Sequence, residues 1–360
     1  MKNICFFTSD MSWSGGTNKC TSMIANSLAK IKNKYKIFVL DLQNEACRIM
    51  YQLNDDVNYS SLNLKSKSKK NIITKLRKYL RANNIAAIIN VEGLLGIYSV
   101  PASLFTNTKT IIWEHGNYFL KRYNKVDFVR WLEFKLCDHY VTLTNEDKEE
   151  FSKHFKGKCK LHYIYNACET LGKNKMCNVN SKNIITVGMN RYDKGYDMLV
   201  EIAHGVYKRH PEWHWNIYGD IGIEKNMDIL VNKKIKQYHI TKFLSMCGLK
   251  NNLENCYKES SIMVMTSRRE GLPMALLEAR GYGIPMIAFD IKTGPSEIID
   301  NELNGYLIEP YNKNEMIEKI CKLIENDKLR QKFSEKTQEG IEKFDIDYVI
   351  SRWDELLEEI

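Results

Sequence analysis

No stretch of this 360-residue chain approaches the roughly 18 consecutive apolar residues that a membrane-spanning helix needs. The opening run, Met1 to Thr8, is apolar but short, and it meets polar Ser9 and Asp10 without a cleavage region. It reads as a first buried strand and not as a signal peptide. The ten cysteines include no Cys-x-x-Cys pair, which argues against a zinc site or a disulfide framework and for free thiols in a reducing cytoplasm. The eight histidines lack metal-ligand spacing, so no metal is expected. There is no Gly-x-Gly-x-x-Gly after the first strand and no base-reading motif, so neither a dinucleotide fingerprint nor nucleic-acid recognition is indicated.

What remains is a globular composition, 44% hydrophobic and 27% charged, on a chain too long for one small core and suited to two domains. The charge is lopsided. Up to residue 170 there are 26 Lys and Arg against 15 Asp and Glu, and beyond it 27 against 29. Basicity confined to one half points to an anionic partner for that half.

In the first half, apolar runs at Ile4–Ser9, Tyr35–Leu42, Ile85–Val91, Thr110–Glu114 and His139–Thr144 predict strands. The helices fall at Thr17–Lys30, Asn71–Ala82 and Val126–Leu136. Leu171–Lys182 is polar and reads as a linker. The alternation then restarts, with strands at Asn183–Val187, His214–Tyr218, Ser261–Thr266 and Pro285–Phe289. Helices follow at Gly195–Lys208, Pro273–Gly281, Asn314–Glu325 and Tyr348–Glu359. Such alternation implies an α/β class with two doubly wound parallel sheets. The expected domains are 1–170, a linker at 171–182, a second domain at 183–345, and a final helical segment at 346–360.

The densest chemistry runs from Thr266 to Asp290. A buried strand ends in a short loop, and Pro273 stands where a helix should begin. Gly271 lets backbone approach a ligand, and a helix N-terminus suits a diphosphate. Glu270 precedes that helix. Glu278 lies inside an otherwise apolar run, where a carboxylate is costly unless hydrogen-bonded; sugar or ribose hydroxyls would serve, and so would a plain salt bridge. Asp345-Ile346-Asp347 has an Asp-x-Asp form but reads as a helix cap.

Glu270 and Glu278, separated by seven residues within EGLPMALLEARGYGIPMIAFD, resemble the Glu-x7-Glu signature of retaining glycosyltransferases of the GT-B fold, the GT4 family in particular. TGPSEII and NGYLI at Asn304–Ile308 resemble the next two blocks of that family. The resemblance covers nearly the whole chain, most clearly residues 183–310. It implies two facing Rossmann-like domains, an N-terminal one for the acceptor and a C-terminal one for the nucleotide sugar, with the last helix crossing back to the first domain. It further implies donor contacts at Gly15, Gly16, Gly271, Leu272, Pro273 and Glu278, and roles in transfer for Glu270, His115, Lys194 and Arg191. Ser14-Gly15-Gly16-Thr17 is similar to the family's glycine loop. WEHGNYF is similar to a segment whose His faces the donor sugar, and Asn166 to an Asn that closes the first domain. In VGMNRYDKGYD the Lys position is filled by Lys194, but the usual Arg position is Met189, and Arg191 lies two residues on.

The resemblance implies transfer of a hexose or N-acetylhexosamine from a nucleotide sugar, with UDP favoured, to a glycan or lipid-linked acceptor, with no cofactor. The basic segments Lys65–Arg81 and Lys121–Lys135 carry apolar stripes among Lys and Arg, and suggest peripheral binding to the anionic inner face of the plasma membrane. Two rivals stand beside this. A non-catalytic sugar-nucleotide-binding subunit would fit the Met189 departure. A nicotinamide-dependent oxidoreductase would use Asp41 at the end of the second strand as its ribose acid.

Overall fold

The structure is a computed structural model and describes residues 1–42, 49–64, 68–119, 124–169, 176–189, 191–220 and 224–360. The chain divides into two compact units, Met1–Ala167 with Ile346–Ile360, and Cys168–Asp345. The opening segment of the first unit runs to Ala167. Of the polar stretch 171–182, residues 171–175 lie outside the described residues. The rest is held within the second unit, where Cys177 N bonds Tyr282 O at 2.7 Å and Asn178 N bonds Lys258 O at 2.8 Å.

In the first unit, strands β1 (Lys2–Thr8), β2 (Tyr35–Asp41), β3 (Val57–Ser61), β4 (Ile85–Asn90), β5 (Lys109–Trp113), β6 (His139–Thr142) and β7 (Lys160–Tyr163) form one parallel sheet in the order β3-β2-β1-β4-β5-β6-β7. Helices α1 (Gly16–Ala29), α2 (Lys69–Ala82), α3 (Gly96–Ser103), α4 (Asn124–Leu136) and α5 (Asn145–His154) cross over between strands. Ile4, Cys5, Phe6 and Phe7 are all fully buried, as a strand covered on both faces requires.

In the second unit, β8 (Asn183–Val187), β9 (His214–Tyr218), β10 (Leu244–Gly248), β11 (Ile262–Met265), β12 (Met286–Phe289) and β13 (Gly305–Ile308) form a parallel sheet in the order β10-β9-β8-β11-β12-β13. Its helices are α6 (Tyr196–Tyr207), α7 (Lys225–Gln237), α8 (Glu254–Lys258), α9 (Met274–Gly281), α10 (Pro295–Ile298), α11 (Lys313–Glu325) and α12 (Asp327–Lys336). In both sheets the strand order reverses beside the first strand of the unit, between β1 and β4 and between β8 and β11. In doubly wound sheets the loops at the carboxyl ends diverge at such a point, which is where ligands bind.

The last helix, α13 (Ile346–Glu358), belongs to the first unit. Its Trp353 is fully buried and meets the Trp113 ring edge-on at 5.0 Å. Asp354 accepts from Lys34 at 2.6 Å and from the Tyr35 hydroxyl at 2.7 Å. With this acidic helix counted, the first unit holds 27 basic and 19 acidic residues, and the second 26 and 25. The excess of positive charge stays with the first unit but is smaller than the first 170 residues alone suggest.

The basic segments are only partly free surface. Residues 65–67 and 120–123 lie outside the described residues. In α2, Ile72, Leu76 and Leu80 are buried, while Lys69, Lys70, Lys78 and Arg81 are exposed. Lys75 bonds Asn63 O at 2.5 Å, and Arg77 caps the carbonyls of Pro101 and Ala102. In α4, Phe134 and Arg130 are buried. Phe128 and Trp131 are 59% and 50% exposed and stack at 6.0 Å, so two of the three aromatic side chains of the expected stripe face outward. No helix among the described residues is long and apolar enough to cross a membrane.

Glu133 of α4 is fully buried, and the Gly96 amide and the Arg130 cation favour its charged form too weakly to offset that burial. Burial first, and nearby Glu114 second, hold its carboxyl well above the usual carboxylate range. A group raised on folding stabilises the fold below its unfolded pKa, and that contribution is lost as pH rises through the folded value. Glu133→Gln should therefore match the wild type in thermal melts below pH 4.5 and exceed it increasingly at neutral and alkaline pH. The gap should grow by at most about 1.4 kcal/mol per pH unit, the limit for one proton. Parallel melting curves from pH 4 to 9 would refute this.

Candidate functional site

Three loops meet at the carboxyl ends of β8, β11 and β12. The loop after β8 turns through Tyr192–Lys194 into Gly195, whose φ of 68° is left-handed. A Cβ at Gly195 would lie 2.1 Å from the Thr266 carbonyl oxygen, so only glycine lets this loop rest against the end of β11. Thr266 Oγ1 donates to Lys194 O at 3.0 Å, and Arg268 N to Asp193 O at 2.7 Å. On the other side, Thr293 Oγ1 donates to Glu270 O at 2.9 Å. Gly294, with φ 99°, packs so closely that a Cβ there would sit 2.7 Å from Gly271 O. The segment Glu270-Gly271-Leu272-Pro273 is thus gripped from both neighbours.

Within this cluster Lys194 Nζ lies 2.7 Å from Glu270 Oε1, with side chains 29% and 10% exposed. Ser267 Oγ donates to the same oxygen at 2.6 Å. Pro273 precedes α9, which carries no acidic side chain in its first turn, so its amides and positive dipole end are not offset by a carboxylate there. Glu278 is 9% exposed, and its Oε2 accepts from the buried Tyr257 hydroxyl at 2.7 Å. This hydroxyl answers part of the cost of burying Glu278.

Sequence reading missed the charge pairs that surround this loop. Arg268 grips Asp197 through two bonds at 2.8 and 2.7 Å and lies 4.0 Å over the Tyr192 ring. Arg269 pairs with Asp193. Arg191 differs from both: its guanidinium has no ion-pair or hydrogen-bond partner among the described residues, and its Nε is buried. The run Ser267-Arg268-Arg269-Glu270 was the available signal, since four consecutive polar residues directly after a buried strand must find partners.

Gly15, Gly16 and His115 belong to the first unit, apart from the residues gathered in the second. Gly15 caps α1 in an extended conformation, and its amide donates to the Tyr51 hydroxyl at 3.3 Å; Gly16 begins the helix. His115 follows β5 with its ring 4.2 Å from that of Trp113. Its Nε2 is buried without a hydrogen-bond partner among the described residues. Burial lowers its pKa to about 3, so the imidazole is neutral at physiological pH. Asn166 is buried, with Oδ1 unpartnered among the described residues. Asp41 is fully buried, and its Oδ2 accepts from Met11 N at 2.8 Å and the Tyr59 hydroxyl at 3.3 Å. It pins a loop of its own unit, which weakens its candidacy as a cofactor ribose ligand.

Residues 171–340 match the family model described as glycosyl transferases group 1. The chain is 29% identical to a protein of Haemophilus influenzae called an uncharacterized glycosyltransferase, over 99% of this chain and 100% of the relative. It is 30% identical to the amylovoran biosynthesis glycosyltransferase AmsD of Erwinia amylovora over 231 residues, 62% of this chain and 63% of the relative. Among solved structures, a mutant of S. aureus TarM in complex with Fondaparinux, alpha-GlcNAc-glycerol and UDP matches with a TM-score of 0.83 at 17% identity, covering 99% of both chains. At that identity the likeness is one of fold.

The Lys194–Glu270 pair is partly buried and shares its oxygen with Ser267, so it should exceed the 0–1 kcal/mol of exposed pairs. A double-mutant cycle of Lys194→Ala and Glu270→Gln, read by denaturant unfolding, should give a coupling above about 1 kcal/mol. Additive effects would show that the two side chains act independently.

Proposed function

We propose that this chain, a glycosyltransferase of the GT-B fold whose residues 171–340 match group 1, moves a hexose or N-acetylhexosamine from a UDP-sugar to a glycan or lipid-linked glycan, with retention and without a metal. Membership in GT4 is part of the same reading. The observation that carries it is the meeting of Lys194, Glu270 and the acid-free start of α9 at the strand-order reversal of the second unit, with Arg191 unpaired in the same loop. The UDP in the TarM complex supports the donor, and the naming of AmsD as an amylovoran biosynthesis glycosyltransferase supports a transfer role.

In this reading the second unit binds the donor. The diphosphate lies at the α9 N-terminus, with Gly271, Leu272 and Pro273 giving close backbone approach. Lys194 and Arg191 offset the charge that grows on the leaving group as the bond from the anomeric carbon to the diphosphate oxygen breaks. Glu278 holds ribose hydroxyls, and Tyr257 fixes Glu278. Glu270 orients the sugar. The acceptor hydroxyl attacks from the leaving-group face, its oxygen bonds to the anomeric carbon, and its proton passes to the departing diphosphate. The first unit binds the acceptor, and Gly15, Gly16 and His115 are its own candidate ligand contacts.

Met189 cannot donate to phosphate, and Arg191 can do so through a planar fork. Arg268 and Arg269 are already committed to Asp197 and Asp193, which leaves Arg191 as the guanidinium of this cluster without an internal partner among the described residues. In a screen of UDP-sugars and glycan acceptors run in EDTA, Arg191→Ala and Lys194→Ala should each lower kcat/KM by about 10- to 1,000-fold, and Arg191→Lys should recover part of the loss. Wild-type transfer by Arg191→Ala would remove Arg191 from the site. Activity that requires added Mn²⁺ would remove the metal-free route.

The first unit also brings the enzyme to anionic membranes, through Lys69, Lys70, Lys78 and Arg81 of α2 and the exposed Phe128–Trp131 stack of α4. Co-sedimentation with anionic vesicles should fall as salt rises and fall further in Phe128→Ser/Trp131→Ser. Equal binding to neutral vesicles would contradict the charge argument.

A further inference from the structure

His115 sits at the head of a short loop whose backbone is held by buried charged side chains. Glu114 Oε1 accepts from Gly116 N at 2.9 Å. Its Oε2 accepts from the Tyr140 hydroxyl at 3.1 Å and lies 3.5 Å from Arg130 Nη2. Arg130 reaches the loop from α4 and is 3% exposed. Its Nη2 donates to Asn117 O at 2.9 Å and its Nη1 to Tyr118 O at 3.1 Å. Asp147, at the start of α5, accepts from Tyr118 N at 2.7 Å. The guanidinium stacks over the Phe151 ring at 5.0 Å.

A buried arginine is an expensive way to hold a surface loop, since desolvating a charge costs several kcal/mol unless it is fully paired. A single guanidinium here spans two consecutive carbonyls and a carboxylate, which neither a lysine nor a neutral side chain can do. In contrast to that satisfied backbone, Nε2 of His115 is buried with no partner among the described residues.

We propose that Arg130 is a positioning residue that, through Glu114 and the carbonyls of Asn117 and Tyr118, fixes the loop from which His115 presents its imidazole to substrate. The proposal rests on the glycosyl-transfer reading for the word substrate, but not for the geometry. The groups that face this centre are Glu114 after β5, Arg130 and Glu133 of α4, Tyr140 of β6 and Asp147 of α5. Displacing the loop would admit water to the imidazole and misplace it, and a shift of about 1 Å in a positioned group can cost on the order of 100-fold in rate.

The test follows the histidine side-chain nitrogens of the full chain by NMR from pH 4 to 8, with His115→Gln to assign the signal, alongside kcat and KM for transfer. In the wild type His115 should stay neutral across that range. In Arg130→Gln it should begin to titrate above pH 5 while the histidines other than His154, whose ring stacks on Tyr118 at 4.3 Å, keep their wild-type shifts, and kcat/KM should fall about 10- to 100-fold. Arg130→Lys should restore part of both. Tyr140→Phe, which removes one hydroxyl and little volume, should displace the His115 signal even if Arg130→Gln fails to fold. A His115 signal unchanged in Arg130→Lys and in Tyr140→Phe, in folded protein with wild-type kcat/KM, would overturn the proposal. If the wild type transfers no sugar, the functional reading falls, and the nitrogen titration alone decides the positioning role.

Discussion

The second unit depends on one close approach of backbone to backbone. The loop after β8 lies against the end of β11 because Gly195 has no Cβ to meet the Thr266 carbonyl. From that contact follow the Thr266 bond to Lys194 O, the Arg268 amide on Asp193 O, and the closeness of Lys194 to Glu270. Any side chain at Gly195 would need both a left-handed backbone and displacement of a strand end, so the loop and the strand would part together. The chemistry of this cluster is therefore a consequence of a packing constraint and not of the charged residues alone.

The two units use charge differently. Around the second unit's loops, arginine and aspartate pair at partly exposed positions, where salt and water weaken each pair and several act as a set. In the first unit, Glu114, Arg130, Glu133 and Asp147 are all almost fully buried around one loop. Burial pushes the Asp147 carboxyl up to about 7 despite the Tyr118 amide that favours its charged form. The first arrangement leaves long side chains able to change partners when an anion arrives. The second leaves little freedom, because each buried group depends on its neighbours for its charge state.

The central strands of both sheets were legible because burial on two faces demands unbroken apolar runs, as in Ile262–Met265 and Met286–Phe289. The strands that sequence reading passed over are β3, β7, β10 and β13, and all four lie at sheet edges. Three of them bury little: β3, Val57-Asn58-Tyr59-Ser60-Ser61, has one buried residue, β7 none and β10 one, while the short β13 was read only as part of a family block. Helix α3 was hidden by its internal Pro101, and α5 by a surface so polar that only Asp147 and Phe151 are buried. In the site, Glu270 stood out because a charged residue beside a glycine in the loop after a buried strand is a local signal, whereas Lys194 was carried by the resemblance of VGMNRYDKGYD. The Arg268–Asp197 and Arg269–Asp193 pairs join residues more than seventy positions apart in sequence, so the polar run 267–270 announces that partners are needed but not which ones they are. The resemblance carried the fold to its correct class, and the structure supplied the partners.

Helix α13 belongs to the first unit although the whole of the second separates it from that unit's other elements in the chain. During synthesis the indole of Trp113 must therefore wait for Trp353, and the cation of Lys34 for Asp354, until residues 168–345 have already emerged. The unit that begins first is finished last, and its uncovered flank is exposed to solvent and to other nascent chains for the time needed to make the second. A later unit can thus fold beside a partner that is still incomplete, and the order of completion along the chain is inverted with respect to the order of synthesis.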